Sequence, residues 1–226
     1  MVSEMLQKLW DNGLITAGIW ETLSMTLLST LIAYGIGLPV GVVLRITDRD
    51  GVTPCAWLHA GLGFVVNILR SIPFIILMVA MLPVAKLIVG TSLGNKAMVV
   101  MLIIAAAPYV ARMVESALKE VDHGVIEAAQ AMGTPTRKLV TRVLLPEARP
   151  SLITGAVISS VTVLGYSAMA ATIGGTGLGQ IAVTYGYERS NEDVIWVCVV
   201  LIVVIVQAIQ LLGGHIARRT DKRIRD

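Results

Sequence analysis

The chain has 226 residues, of which 55% are hydrophobic, 15% charged and 5% aromatic, and its mean hydropathy is +0.78. Soluble domains carry about 25% charged residues and disordered chains are poor in apolar ones, so this composition excludes both and indicates an integral membrane protein. The net charge of +3 does not indicate nucleic-acid binding, because the basic residues stand at the ends of apolar runs. Two distant cysteines in apolar surroundings, Cys55 and Cys198, exclude a disulfide scaffold.

The predicted elements are membrane-spanning helices. Residues Met1–Trp20 have neither a basic start nor a small-residue cleavage site, so we expect no cleaved signal peptide. A spanning helix needs about 20 apolar residues. Four segments meet that requirement: Thr22–Leu44, Ala97–Ala111 with an extension to Ala117, Leu152–Ile173 and Val194–Leu212.

The stretch Ala56–Val89 holds two apolar runs that Arg70 and Ser71 separate. An arginine in the middle of a membrane costs about 2.5–3.5 kcal/mol or more, so we place Arg70 at an interface. Trp57–Leu69 then lies partly outside the membrane or enters it obliquely, and Ile72–Val89 spans it. The prediction is an all-α integral membrane bundle of five transmembrane helices.

The charges of the connecting segments predict the orientation. Fourteen basic residues fall on one side of the five spans and four on the other. Cytoplasmic loops carry the excess of Lys and Arg, so we expect a cytoplasmic C-terminus and an external N-terminus. The cytoplasmic set is Arg45, Arg49, Arg70, Arg112, Lys119, Arg137, Lys138, Arg142, Arg149, Arg218, Arg219, Lys222, Arg223 and Arg225, and the external set is Lys8, Lys86, Lys96 and Arg189.

Glycines and prolines occur inside the predicted spans. Gly37 and Gly41 form a small-xxx-small pair, which lets two helices approach closely. Helix packing is the simpler interpretation, and proline kinks in a transport bundle are the alternative.

The longest cytoplasmic connection, residues 119–150, is predicted to form two short helices joined by a sharp turn. Asp122 is the expected N-cap of the first helix and Gly133 its C′ residue. Thr134 is expected to cap the second helix with Pro135 at its first position, and Pro146 to end or bend it. The apolar positions of the two helices are Val125, Ile126, Ala129, Met132, Leu139, Val140, Val143 and Leu144.

A compact pair of helices with apolar anchors suits docking into a groove of a soluble partner. Arg137, Lys138 and Arg142 line its polar side. The alternative is an amphipathic helix lying on lipid.

A specific motif lies inside this connection. The run Glu127-Ala128-Ala129 is followed by three residues and Gly133, then by nine residues and Val143-Leu144-Leu145-Pro146. This pattern resembles the EAA loop of ABC importer permeases, with Val143 in place of isoleucine. The resemblance implies a single ABC transmembrane domain over residues 1–226, with a cytoplasmic coupling loop at residues 119–150. The implied ATPase-coupling residues are Glu127, Ala128, Ala129, Gly133, Val143, Leu145 and Pro146.

Further segments along the chain resemble the permease subunit of the bacterial methionine ABC importer. They are Asn67–Leu77, Gly90–Gly94, Ala106–Leu118, Val143–Leu152, Gly165–Ala170 and Gly174–Tyr187. The resemblance implies a type I importer permease of the bacterial inner membrane that forms a homodimer in membrane lipid. Its implied partners are a cytoplasmic ABC ATPase dimer, which carries ATP and Mg²⁺, and an external methionine-binding protein, with no nucleic acid.

Other candidate sites are few. Tyr166, Ser167 and Met169 fit the lining or the gate of a translocation pathway, although ordinary helix packing is the simpler interpretation. The glycine run Gly174–Gly179 lacks the Lys of a phosphate-binding loop and is expected to be a tight external turn. Arg112 and Glu115 are expected to form a local ion pair. The three histidines match no metal spacing, so we expect no metal site and no cofactor in this chain.

The sequence therefore predicts a non-catalytic permease subunit that moves L- and/or D-methionine into the cytoplasm, driven by a separate ATPase through the EAA loop. No P-loop motif is present, which assigns ATP hydrolysis to a partner. Three alternatives remain: a permease for another amino acid or small solute, a membrane scaffold that recruits an ATPase, and a membrane enzyme. The last lacks a cluster of chemically competent side chains.

Overall fold

The computed structural model describes residues 4–221. These residues are almost entirely helical and none of them forms a strand, which confirms the all-α class. The cytoplasmic assignments of Lys222, Arg223 and Arg225 lie outside the described residues. The helices are α1 (Glu4–Asp11), α2 (Leu14–Thr47), α3 (Ala56–Ser71), α4 (Phe74–Val89), α5 (Asn95–Lys119), α6 (His123–Ala131), α7 (Thr136–Leu139), α8 (Leu145–Glu147), α9 (Arg149–Ala170), α10 (Leu178–Ile181) and α11 (Glu192–Thr220).

Four of these helices are long and apolar enough to cross a membrane: α2, α5, α9 with the short 3₁₀ turn that follows it, and α11. They correspond to the four segments expected from hydropathy. Each helix extends beyond its apolar run, and α2 reaches 34 residues. At 1.5 Å per residue its length is about 51 Å, well above the roughly 30 Å of a bilayer core.

The fifth span is broken. Helices α3 and α4 are bent by 107° across a short break that ends at Pro73. Helix α4 has 16 residues, a length of about 24 Å, so the expectation that Ile72–Val89 crosses the bilayer alone is corrected. The count of five spans holds when the bent pair is taken as one. Proline has no backbone N–H and its predecessor avoids helical geometry, which explains the position of the break.

The described residues form two compact units. The first comprises residues 4–31, 72–106 and 160–210, and the second residues 32–71, 107–159 and 211–221. In the first unit the amphipathic helix α1 packs its apolar side chains on a hydrophobic cluster. That cluster contains Leu9, Ile15, Leu164, Leu178, Ile181, Val194, Cys198 and Ile205.

The glycine run of the first unit is a tight turn, as expected. Gly174 and Gly177 adopt positive φ angles of 84° and 96°, which residues with a Cβ rarely take. The buried Thr22 hydroxyl accepts a hydrogen bond of 2.9 Å from the Leu178 N–H. The turn is therefore packed against α2, and its glycines serve backbone geometry.

In the second unit, the glycine pair of α2 packs directly on α5. A Cβ added at Gly37 would lie 2.7 Å from Val110 Cγ1, and one added at Gly41 would lie 2.5 Å from the Ala111 carbonyl oxygen. Real Cβ atoms do not approach so closely. The small-xxx-small interpretation is confirmed.

Candidate functional site

The first helix of the predicted coupling loop, α6, has both expected caps. The Asp122 side chain accepts a hydrogen bond of 2.7 Å from the Gly124 N–H at its N-terminus. Gly133 follows the helix with φ 72°, a left-handed conformation that favours glycine after a helix end. The cap residues thus fix where α6 begins and ends.

The second helix begins one residue later than expected. Helix α7 starts at Thr136, and its N-cap is Pro135, which is extended and makes no side-chain capping bond. The assignment of Thr134 as the cap is therefore wrong. The backbone N–H groups at the start of a helix have no partner within the helix. Pro135 has no N–H, so it leaves no unsatisfied donor just before the first turn of α7.

Pro146 does not end the second helix. After α7 the hydrogen-bond period widens into a π-helix at Val140–Leu144, in which the Leu145 N–H donates to the Val140 carbonyl. Helical backbone then continues through α8, and the chain turns only at Ala148. Pro146 has no N–H to donate within the helix. The π-helix just before it shifts the hydrogen-bond pattern by one residue, so the helical backbone can continue past the proline.

Helix α6 buries one face and exposes another. Ile126 and Ala129 are buried within this chain. Val125, Ala128 and Met132 are exposed at helical spacing, with Met132 78% accessible. We call these three residues the docking face. This chain therefore leaves the apolar side chains at these three positions uncovered.

The remaining EAA residues divide by burial. Glu127 is exposed and lies 3.1 Å from His123 Nδ1 on the same helix. Gly133 is exposed in the turn, whereas Val143, Leu145 and Pro146 are half-buried behind it. Ala129, expected to contact the ATPase, is instead buried within this chain, because it lies on the inner face of α6 with Ile126.

The expected pathway residues lie near the end of α9. Tyr166 stacks on Phe74 at the start of α4, with ring centroids 4.2 Å apart and an interplanar angle of 6°. Met169 is 49% exposed. Ser167 is buried and donates its hydroxyl to the Leu164 carbonyl at 2.7 Å, which leaves Tyr166 and Met169 the more accessible members.

The expected Arg112–Glu115 ion pair is present, with 2.6 Å between Nη1 and Oε2. It belongs to a larger network. Lys119 Nζ lies 3.0 Å from Glu115 Oε1 and 2.8 Å from Asp48 Oδ2. The Lys119 hydrogen bond holds the pKa of Asp48 below its usual value. The spacing of residues 112, 115 and 119 was the only sequence signal for this network, and nothing in it pointed to Asp48.

Three groups of this network have metal-ligating chemistry. Potential ligand atoms of Asp48, His59 and Glu115 lie within 4.8 Å of one another. The Lys119 ammonium contacts both carboxylates, and Arg112 contacts the second of them. Because these two side chains already supply the positive charge, the group is an ion-pair cluster.

Residues 37–226 match the family model described as "Binding-protein-dependent transport system inner membrane component". The match covers the coupling loop, the broken span and every described residue from 37 onwards, but not the first part of either compact unit. The chain belongs to this family. It is thus an inner membrane component of a transport system, and its role is that of a permease.

Two relatives in other bacteria are described as D-methionine permeases. The chain is 45% identical to the probable D-methionine transport system permease protein MetI of Vibrio cholerae, over 94% of this chain and 95% of the relative. It is 41% identical to the protein with the same description from Pasteurella multocida, over 97% and 100%.

Chains of two solved ABC transporter structures have the same fold. One from the MetNI methionine ABC transporter, in an inward-facing conformation, matches with a TM-score of 0.91 and 47% identity, over 92% of this chain and 97% of that one. A chain of an amino acid ABC transporter with histidines matches with a TM-score of 0.75 at 19% identity, over 97% and 100%, which shows the shared fold alone.

Proposed function

We propose that this chain is the membrane-spanning permease subunit of an ATP-driven importer that moves methionine, as the L- and/or D-isomer, into the cytoplasm. The docking face of α6 carries the proposal: an apolar patch on a capped helix, within the EAA spacing, in a chain closely similar to methionine permeases. The chain itself forms and breaks no covalent bond in this scheme.

The proposed complex has two copies of this permease, two ABC ATPases and an external methionine-binding protein. ATP and Mg²⁺ are held by the ATPases. All 226 residues act as one transmembrane domain, with residues 119–150 as its coupling loop. The distribution of Lys and Arg supports a cytoplasmic C-terminus and an external N-terminus.

In this proposal, ATP binding is coupled to the conformation of the permease by α6, which binds in a groove of the ATPase. Val125, Ala128 and Met132 enter the groove, and the small Ala128 lets the two backbones approach closely. When ATP binding closes the two ATPases, the seated helices move with them. The permease dimer then shifts between inward-open and outward-open states, because ATP favours one state over the other.

The solute passes by Tyr166, Ser167 and Met169 in this proposal. A largely apolar wall with a few hydroxyl groups suits an apolar thioether side chain. Substrate choice rests mainly with the external binding protein, so this wall needs little selectivity of its own.

The test is a pair of variants that add the same charge to the same helix. Ala128→Glu places a carboxylate in the docking face, and Gln130→Glu places it at an exposed position outside that face. Each is reconstituted in vesicles with the ABC ATPase and the methionine-binding protein of the same bacterium, and uptake of radiolabelled L- and D-methionine is measured.

Ala128→Glu is expected to abolish co-purification with the ATPase and uptake, because a carboxylate would be desolvated in an apolar groove. Gln130→Glu is expected to retain both. Unimpaired uptake in Ala128→Glu would contradict the docking role. ATP turnover by the unmodified complex that ignores the binding protein and moves no solute would instead favour the scaffold.

A further inference from the structure

A cluster of charged and polar side chains ties three helices together where α5 ends. We call it the ionic clamp and define it as Asp48, Asn67, Arg112, Glu115 and Lys119. Asp48 directly follows α2, Asn67 lies on α3, and the other three lie on successive turns of α5. All five belong to the second compact unit.

Glu115 is the centre of the clamp. Its side chain is only 5% exposed, yet both carboxylate oxygens have a cationic partner: Arg112 at 2.6 Å and Lys119 at 3.0 Å. A buried carboxylate with paired cations is stable, whereas removal of one partner leaves an uncompensated charge. The arrangement therefore holds Arg112 and Lys119 in fixed positions.

Each cation then reaches a different helix. Arg112 Nη2 donates to Asn67 Oδ1 at 3.0 Å and to the Gly63 carbonyl at 3.3 Å, both on α3. Lys119 Nζ contacts Asp48 Oδ2 at 2.8 Å, just beyond the end of α2. The last two turns of α5 are thus joined to α3 by hydrogen bonds at Gly63 and Asn67, and to the residue after α2 by an ion pair.

The clamp lies beside the coupling loop in the chain. Lys119 is the last residue of α5, and only three residues separate it from His123, the first residue of α6. The next residue, Glu120, accepts a hydrogen bond of 2.5 Å from the Ser151 hydroxyl near the start of α9. On its N-terminal side, α6 is therefore joined to the bundle by the turn that carries Lys119.

We propose that the ionic clamp transmits the motion of α6 to α2 and α3, with Lys119 as the positioning residue that makes the end of α2 move together with α5 and with Arg112 making the link to α3. The proposal rests on the coupling role proposed above. Without the clamp, α6 still seats in the ATPase and still displaces α5, but α2 and α3 no longer follow. ATP turnover then continues while less solute is moved for each ATP.

The experiment measures solute uptake and ATP turnover together in the reconstituted complex. Lys119→Gln removes the charge and keeps much of the side chain, and Lys119→Arg restores the charge. Lys96→Gln is the matched control, since Lys96 is an exposed lysine in the first turn of the same helix. Thermal melting and ATPase co-purification are recorded for every variant.

In Lys119→Gln, ATP turnover is expected to stay within about twofold of the unmodified chain, and uptake per ATP to fall about tenfold, within the 5–150-fold range of typical coupling between sites. Lys119→Arg is expected to recover most of the ratio, and Lys96→Gln to leave it unchanged. A merely structural role for Lys119 would lower melting temperature, turnover and uptake together, with an unchanged ratio. That result would overturn the proposal.

A double-mutant cycle tests the link to α2. Asp48→Asn is nearly isosteric and is expected to lower uptake per ATP on its own. Combined with Lys119→Gln it should add little, because both changes break the same contact. Additive effects would show that Asp48 and Lys119 act separately and would refute the clamp. Absence of ATP-driven uptake in both the unmodified chain and Lys96→Gln would instead refute the proposed function, and the clamp with it.

Discussion

The contact between α2 and α5 at Gly41 permits a quantitative prediction. A Cβ at this position would lie 2.5 Å from the Ala111 carbonyl oxygen and 2.7 Å from Val114 Cβ. Neither obstacle is the far end of a flexible side chain, so Gly41→Ala forces the two helices apart. Gly35, two turns earlier on α2, has no atom within 4 Å of its added Cβ and supplies the control.

Overpacking of a well-packed contact costs about 1–3 kcal/mol, and a collision with backbone belongs at the upper end. Replacement of a helical glycine by alanine gains about 1 kcal/mol. The net loss of unfolding free energy for Gly41→Ala is therefore about 2 kcal/mol. In a chain of this size that lowers the melting temperature by roughly 4–8 °C, whereas Gly35→Ala raises it by roughly 2–4 °C.

The melting temperatures can be measured from the reactivity of a buried thiol that becomes accessible when the protein unfolds. Cys198 is 1% exposed, whereas Cys55 is partly exposed. In a Cys55→Ala background, a fluorogenic thiol reagent reports unfolding through Cys198 alone in the full-length protein in detergent micelles. A melting temperature for Gly41→Ala equal to or above that of Gly35→Ala would refute the packing argument.

Three further predictions concern turns, caps and charge. Gly177→Ala is expected to melt at a lower temperature than Gly90→Ala: at φ 96° and ψ −167° Gly177 has a backbone conformation almost closed to residues with a Cβ, and its added Cβ would lie 2.6 Å from the Thr22 hydroxyl, whereas Gly90 lies in the left-handed region at φ 79° and ψ −5° and its Cβ meets no atom within 4 Å. Asp122→Ala removes the cap of α6 at a cost of about 1 kcal/mol, so its amides should exchange faster by hydrogen–deuterium exchange; unchanged exchange would contradict the cap. The pKa of Asp48 is lowered in the folded protein, so its contribution to stability is complete above the unfolded pKa of about 3.9 and is lost as pH falls through the folded pKa. The difference in melting temperature between Asp48→Asn and the unmodified chain should therefore be constant near pH 6 and shrink below about pH 4, and a constant difference down to pH 3 would contradict the assignment.

Hydropathy predicts α2, α5, α9 and α11, the helices with long apolar runs, and it places their centres correctly. Their ends differ because hydropathy detects only the part that suits lipid. Helix α2 begins at Leu14, eight residues before Thr22, since hydrogen bonding continues past the apolar run. Helix α1 was missed because its eight residues are helical through packing on the hydrophobic cluster of the first unit.

In the coupling loop, the sequence predicts the structure correctly where a capping side chain or a glycine at positive φ determines a helix end. Asp122 and Gly133 mark the ends of α6 as expected. The π-helix at Val140–Leu144 has no such signal, because a wider hydrogen-bond period depends on how the flanking helices must join. Burial of Ala129 and the contact of Lys119 with Asp48 depend on tertiary neighbours that one sequence does not reveal.

The backbone remains helical from Thr136 to Ala170, interrupted only by the turn at Ala148. A flexible linker transmits force only after it has been stretched taut, whereas a helical rod resists compression as well as extension. Beside the turn at Lys119, the coupling loop therefore has a second connection to the bundle, which reaches α9 through helical turns. Such a connection can transmit a displacement in either direction along its length.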